Sequence, residues 1–128
     1  MLVVILNLIT VAQNETLIHG YYVYDSGQIG ILVGPKSIKK IKLVFTPHDA
    51  NKKRINAQIN KYVDGPLYAN EHYVFNLPYG SLGKYKYGEA TSIIIQYLDG
   101  TTKYYDDSDC AKIAKLYYKY LYKTNNRY

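Results

Sequence analysis

The sequence predicts a mainly β domain of about seven short strands with one C-terminal α-helix, built as a β-sandwich or a compact barrel. Three observations predict it. Short runs rich in Val, Ile and Tyr alternate with turn-forming Gly, Pro, Asp and Asn through most of the chain. Asp99-Gly100, set between two β runs, is the strongest hairpin signal present. After Tyr105 the apolar period becomes helical. With 128 residues, 48% hydrophobic and 20% charged, residues 1–128 are expected to form a single domain. That composition supplies a core and carries too little charge for disorder.

Residues 1–13 open the chain with an almost unbroken apolar run. As a strand, it places Leu2, Val4, Leu6 and Leu8 on one face and Val3, Ile5 and Ile9 on the other. Apolar residues on both faces mark a strand covered on both sides. The cover is either the protein's own sheet or a neighbouring subunit that accepts the strand, so Leu2, Val4, Leu6 and Leu8 are candidate self-association residues. A second reading is a signal-like segment ending at the small residues of Thr10-Val11-Ala12, although no Lys or Arg precedes Lys36. Asn14-Glu15-Thr16 fits a glycosylation sequon, which matters if the chain is exported.

Residues 16–24 read as a strand with Gly20 as a bulge, and Asp25-Ser26-Gly27 as the turn that follows. Residues 28–33 form the next strand, closed by Gly34-Pro35. Ile41, Leu43 and Phe45 then alternate with Lys40, Lys42, Val44 and Thr46, the pattern of a half-buried strand with a basic outer face. Residues 47–63 admit two readings. Thr46-Pro47-His48-Asp49 resembles a helix start. Yet Ile55, Ala57 and Ile59 alternate with Asn56, Gln58 and Asn60 as in a strand. Turn followed by strand is the preferred reading, with Asp64-Gly65-Pro66 as a hairpin turn. Residues 72–77 place Tyr73, Phe75 and Leu77 on one side. Residues 78–88 form a loop, residues 92–98 a β-branched strand, and residues 101–105 its return strand.

Residues 106–124 form the helix. Asp106, Asp107 and Asp109 suit its positive N-terminus, with Ser108 as the expected cap. Cys110, Ile113, Ala114, Tyr117 and Leu121 make the apolar stripe, and Lys112, Lys115, Lys119 and Lys123 the opposite side.

The net charge is +6, and it is unevenly spread. Lys36, Lys39, Lys40, Lys42, Lys52, Lys53, Arg54 and Lys61 crowd one segment that holds a single acid, Asp49. Such a segment is either a solvated basic face or a polyanion site, for which Lys40, Lys42, Lys52, Lys53 and Arg54 are the candidates. Seventeen Tyr and no Trp point to half-buried sheet faces and interfaces, since Tyr joins an apolar ring to a polar tip.

No catalytic set stands out. His19, His48 and His72 lack metal-ligand spacing, so neither metal nor cofactor is expected. Ser37-Ile38-Lys39-Lys40 matches Ser-x-x-Lys only formally, because that pair needs a helix and this segment leads into a strand. The lone Cys110 excludes an internal disulfide, and its place on the helix's apolar face suits a buried, inert thiol. The apolar runs are too short to span a membrane as a helix.

Residues 73–102 combine a strand ending in Asn76-Leu77-Pro78, a Gly-rich loop, a second strand and Tyr97-Leu98-Asp99-Gly100-Thr101. This resembles a pattern found in many Ig-like extracellular modules and implies an Ig-like sandwich, although a terminal helix departs from it. The expected function is that of a non-enzymatic structural or interaction protein, such as a virion component or a surface or filament subunit. It would be a homo-oligomer or bind a protein partner, at an extracellular, cell-surface or virion location. The alternative is a small basic nucleic-acid-binding protein, such as a viral regulator or inhibitor.

Overall fold

A computed structural model of the protein describes residues 3–7 and 14–125. Its strands are β1 (Val3–Asn7), β2 (Leu17–Val23), β3 (Ser26–Leu32), β4 (Ile38–Pro47), β5 (Ile59–Leu67), β6 (Glu71–Leu77), β7 (Tyr87–Tyr97) and β8 (Thr102–Tyr105), followed by the helix α1 (Asp107–Asn125). All the pairings are antiparallel, in the order β1-β6-β3-β2-β7-β4-β5. The sheet curls into a half-barrel, which fits the expected β-rich, barrel- or sandwich-like class with a C-terminal helix. β4 pairs one side of β7 along nearly its whole length. On the other side, β2 holds Tyr87, Gly88 and Glu89, and β8 holds Ile93 to Gln96. β2 and β8 therefore share one edge of β7, and α1 lies against β2 and β7 where they part.

The core follows the period-two patterns. Ile18 and Tyr22 of β2, Ile29 and Ile31 of β3, Ile41, Leu43 and Phe45 of β4, and Ile93 and Ile95 of β7 are all buried. Cys110, Ile113 and Tyr117 of α1 join them, while Leu121 is half-buried at the margin.

Several local expectations are corrected. Gly20 is not a bulge, since the β2–β3 register runs unbroken through His19↔Gly30, Gly20↔Ile29 and Tyr21↔Gln28. It is a point of close approach, where a Cβ would stand 2.9 Å from Phe45 Cζ and 3.1 Å from Ala90 Cβ. The β2–β3 turn comes one residue early. Val23 pairs Ser26, leaving Tyr24 and Asp25 as a two-residue loop with φ of 49° and 67°. Both central residues are left-handed, as a type I′ hairpin requires.

Pro47 ends β4 and pairs Gly88 rather than starting a helix. The Thr46 hydroxyl bonds Thr91 Oγ1 at 2.7 Å, so it is not spent on a helix cap. The turn-then-strand reading of this region holds, with β5 starting at Ile59. Asp64-Gly65-Pro66 lies inside β5 and is not a turn. A proline is tolerated there because, among the described residues, β5 is the sheet's edge and pairs only β4. The chain reverses after Leu67, through Asn70 at φ 65°.

Ser108 does not cap α1. The carbonyl of Asp106 accepts the first helical bond from the Cys110 amide at 2.8 Å. Asp106 Oδ1 accepts the Asp109 amide at 2.9 Å, and Asp109 Oδ2 accepts the Asp106 amide at 3.2 Å. This is a reciprocal capping box with Asp106 as the cap.

Candidate interaction surface

Side chains directly opposite across paired strands share a face. Tyr62 of β5 faces Lys42 of β4, Lys42 faces Ile94 of β7, and Ile94 faces Tyr104 of β8. These residues form one row across the outer surface of the sheet. Tyr62 is 51% exposed and Tyr104 58%, with Lys42 and Ile94 half-buried between them. Asp64, Lys40, Gln96 and Thr102 form the adjacent row. The Lys40 ammonium stands 5.0 Å from the centre of the Tyr62 ring, at cation–π distance. Neither Lys40 nor Lys42 makes an ion pair among the described residues.

The candidate polyanion residues fall on strand β4 and on the loop that follows it. Lys40 and Lys42 lie on this face. Lys52 and Lys53 are exposed on the loop beyond Pro47, and β4 alone places its far end about 16 Å from Lys42. That loop is held by Asp49 Oδ1, which accepts the amides of Asn51 and Lys53 at 2.9 Å each. Arg54 points elsewhere. Its guanidinium forks onto both carboxylate oxygens of Asp107 and reaches Glu89 at 3.1 Å. These bonds raise the proton affinity of Arg54, and the same contact holds the Asp107 carboxyl below its usual range. Arg54 therefore ties the 48–54 loop to the first turn of α1 and to β7, and its charge is already matched.

Of the candidate self-association residues, Val4 and Leu6 belong to β1, which pairs β6 through Val4↔Val74 and Leu6↔His72 at the end of the sheet. Leu2 and Leu8 lie outside the described residues.

Under α1 a buried imidazole, His72, and a half-buried one, His19, meet the helix. His72 Nε2 bonds Tyr117 Oη at 2.7 Å, and His19 Nδ1 bonds Tyr118 Oη at 2.8 Å. The His19 ring also stacks on Tyr117 and meets Tyr118 edge-on, at centroid distances of 6.2 Å and 4.4 Å. Beside His19 is a small cavity of about 90 Å³, bordered by Arg54, Glu89, Asp107 and Cys110. Burial pushes the Cys110 thiol up to about 12, with the nearby aspartates adding to it, so the sulfur stays protonated and unreactive. Among the described residues no group of His, Cys, Asp and Glu gathers to hold a metal, and no helix is long and apolar enough to cross a membrane.

Sequence reasoning missed the exposed row. Tyr62 lies within the ambiguous 47–63 stretch, and Tyr104 within the 101–105 return strand beside the buried Tyr105. The available signal was strand alternation, which separates Tyr104 from Tyr105 and Ile94 from Ile93 and Ile95 once the strand register is known. No protein family, curated protein or solved structure matches the chain.

Proposed function

We propose that the protein is a non-enzymatic interaction protein that docks through the outer face of β5-β4-β7-β8, with a second copy of the chain as its first partner. The exposed Tyr62–Lys42–Ile94–Tyr104 row carries this reading. Tyrosine supplies large, rigid contact area with a polar tip, the mixture that interfaces favour. Lys40 lies directly across from Asp64, so two copies related by a two-fold axis can exchange Lys40–Asp64 pairs. An assembly subunit, such as a virion component or a surface filament, is the setting this surface suits. The test is mass by light scattering across a concentration series. Wild-type chain should gain mass with concentration, and Tyr62→Thr/Tyr104→Thr should not. A wild type that stays monomeric to millimolar concentration overturns self-association.

The same face supports a second reading. Lys40 over the Tyr62 ring pairs a cation with an aromatic platform, a combination that serves single-stranded nucleic acid. Its signature is oligonucleotide affinity that falls steeply with salt, with a slope flattened in Lys40→Ala/Lys42→Ala. Absence of oligonucleotide binding at low salt removes this reading and leaves the first untouched.

A further inference from the structure

His72 is 1% exposed, and its Nδ1 is buried with no hydrogen-bond partner among the described residues. Its bond to Tyr117 needs only a neutral ring, whichever group donates. A charged ring carries N–H on both nitrogens, and the one on Nδ1 would find no acceptor among the described residues. Burial alone lowers the proton affinity of His72. His19 forms the second contact. Tyr21 of β2, Glu89 of β7, and Tyr117 and Tyr118 of α1 face it, and Arg54, Asp107 and Cys110 border the cavity beside it. Of these, Glu89 favours the charged ring, but Glu89 is already engaged by Arg54. Burial outweighs it and brings His19 down to about 4.

We propose that α1 is an acid-released arm: His72 and His19 take up protons readily only once Tyr117 and Tyr118 lift away and water reaches the rings, so acid frees the helix while the sheet stays folded. The two rings sit where α1 meets the sheet, whereas the strands are held by backbone ladders that neither ring takes part in. Partial opening of one element while the rest stays folded is a recognised mode of local unfolding. Between the ordinary histidine range near 6.5 and the docked value, the released form binds more protons than the docked form. Acid therefore favours release, up to about tenfold per pH unit for each ring that must charge. Below the docked value the dependence flattens.

The experiment is amide hydrogen exchange on the full chain from pH 7 to pH 4.5, corrected for intrinsic rates. Protection in α1 should fall at least tenfold between pH 7 and pH 5, while β4 and β7 keep theirs. In His19→Gln/His72→Gln, α1 protection should stay flat over that interval. Simultaneous loss in helix and sheet, or an unchanged acid response in the variant, overturns the proposal. Should the variant not fold, ring-proton titration of the wild type decides. The two imidazoles must charge in the interval where α1 loses protection. Rings that stay neutral while α1 exchanges, or that charge while α1 stays protected, overturn it.

Discussion

The phenol of Tyr117 lies across Gly30: a Cβ at that position would stand 2.1 Å from the Tyr117 oxygen and 2.4 Å from its ring Cζ. Glycine inside a strand lowers β stability and often marks the close approach of another group. Here the group is the side chain that carries α1 onto β3 and reaches His72.

Gly30→Ala should therefore destabilise the protein by roughly 1–3 kcal/mol, because the added methyl displaces a buried ring and its hydrogen bond. In a Tyr117→Ala background the same change should be close to neutral. Urea midpoints of the four-member cycle measure the coupling, and additive costs would show that the ring does not rest on Gly30.

The apolar stripe of α1 should be graded in energy. Ile113→Ala, at a buried position, should cost roughly 2–5 kcal/mol. Leu121 is half-buried, so Leu121→Ala should cost less. Lys115→Ala, on the exposed side, should cost well under about 1 kcal/mol. Equal denaturation midpoints for the three variants contradict the docking described for α1.

Arg54 should behave as a tie and not as a ligand contact. Its side chain is about half exposed, so Arg54→Ala should cost on the order of 1 kcal/mol or less at low salt, fading as salt rises. Oligonucleotide affinity, if present, should be unchanged by it. The pH dependence follows from Asp107, whose folded value is depressed by Arg54. That stabilisation is present above the ordinary carboxylate range and is lost as pH falls through the folded value. A weaker acid-side loss in Arg54→Ala, followed by tryptophan-free near-UV dichroism, checks the sign.

Deleting residues 2–10 removes β1 and uncovers the backbone edge of β6. The variant should unfold, or lose any assembly that the strand supports. A truncated chain of equal stability and unchanged mass would show that β1 contributes nothing.

The sequence made some elements legible because their patterns are local. Ile41, Leu43 and Phe45 alternate with Lys40 and Lys42, Asp99-Gly100 makes a hairpin, and the Cys110-to-Leu121 stripe repeats at helical spacing. Elsewhere a distant contact decided. Gly65-Pro66 has turn chemistry, but the edge position of β5 lets the strand run through it. Tyr24 is a poor candidate for a left-handed residue, and the β2–β3 register forces it there. Arg54 reads as a free cation because Asp107, its partner, lies 53 residues away. The His72–Tyr117 bond spans 45 residues and leaves no local trace.

The shared edge of β7 also sets an order of events during synthesis. β2 with β3, and β4 with β5, are neighbours in the chain and can pair as soon as they leave the ribosome. Tyr21, Tyr22 and Val23 must wait for Tyr87, Gly88 and Glu89, and β4 must wait for the same strand. A nascent chain that ends before Tyr87 holds two separate units, the strands β1-β6-β3-β2 and the β4–β5 hairpin, and α1 arrives later still. Long-range pairing of this kind slows folding and prolongs the exposure of strand edges. The completion of β7 is thus the step that joins the two units into one sheet.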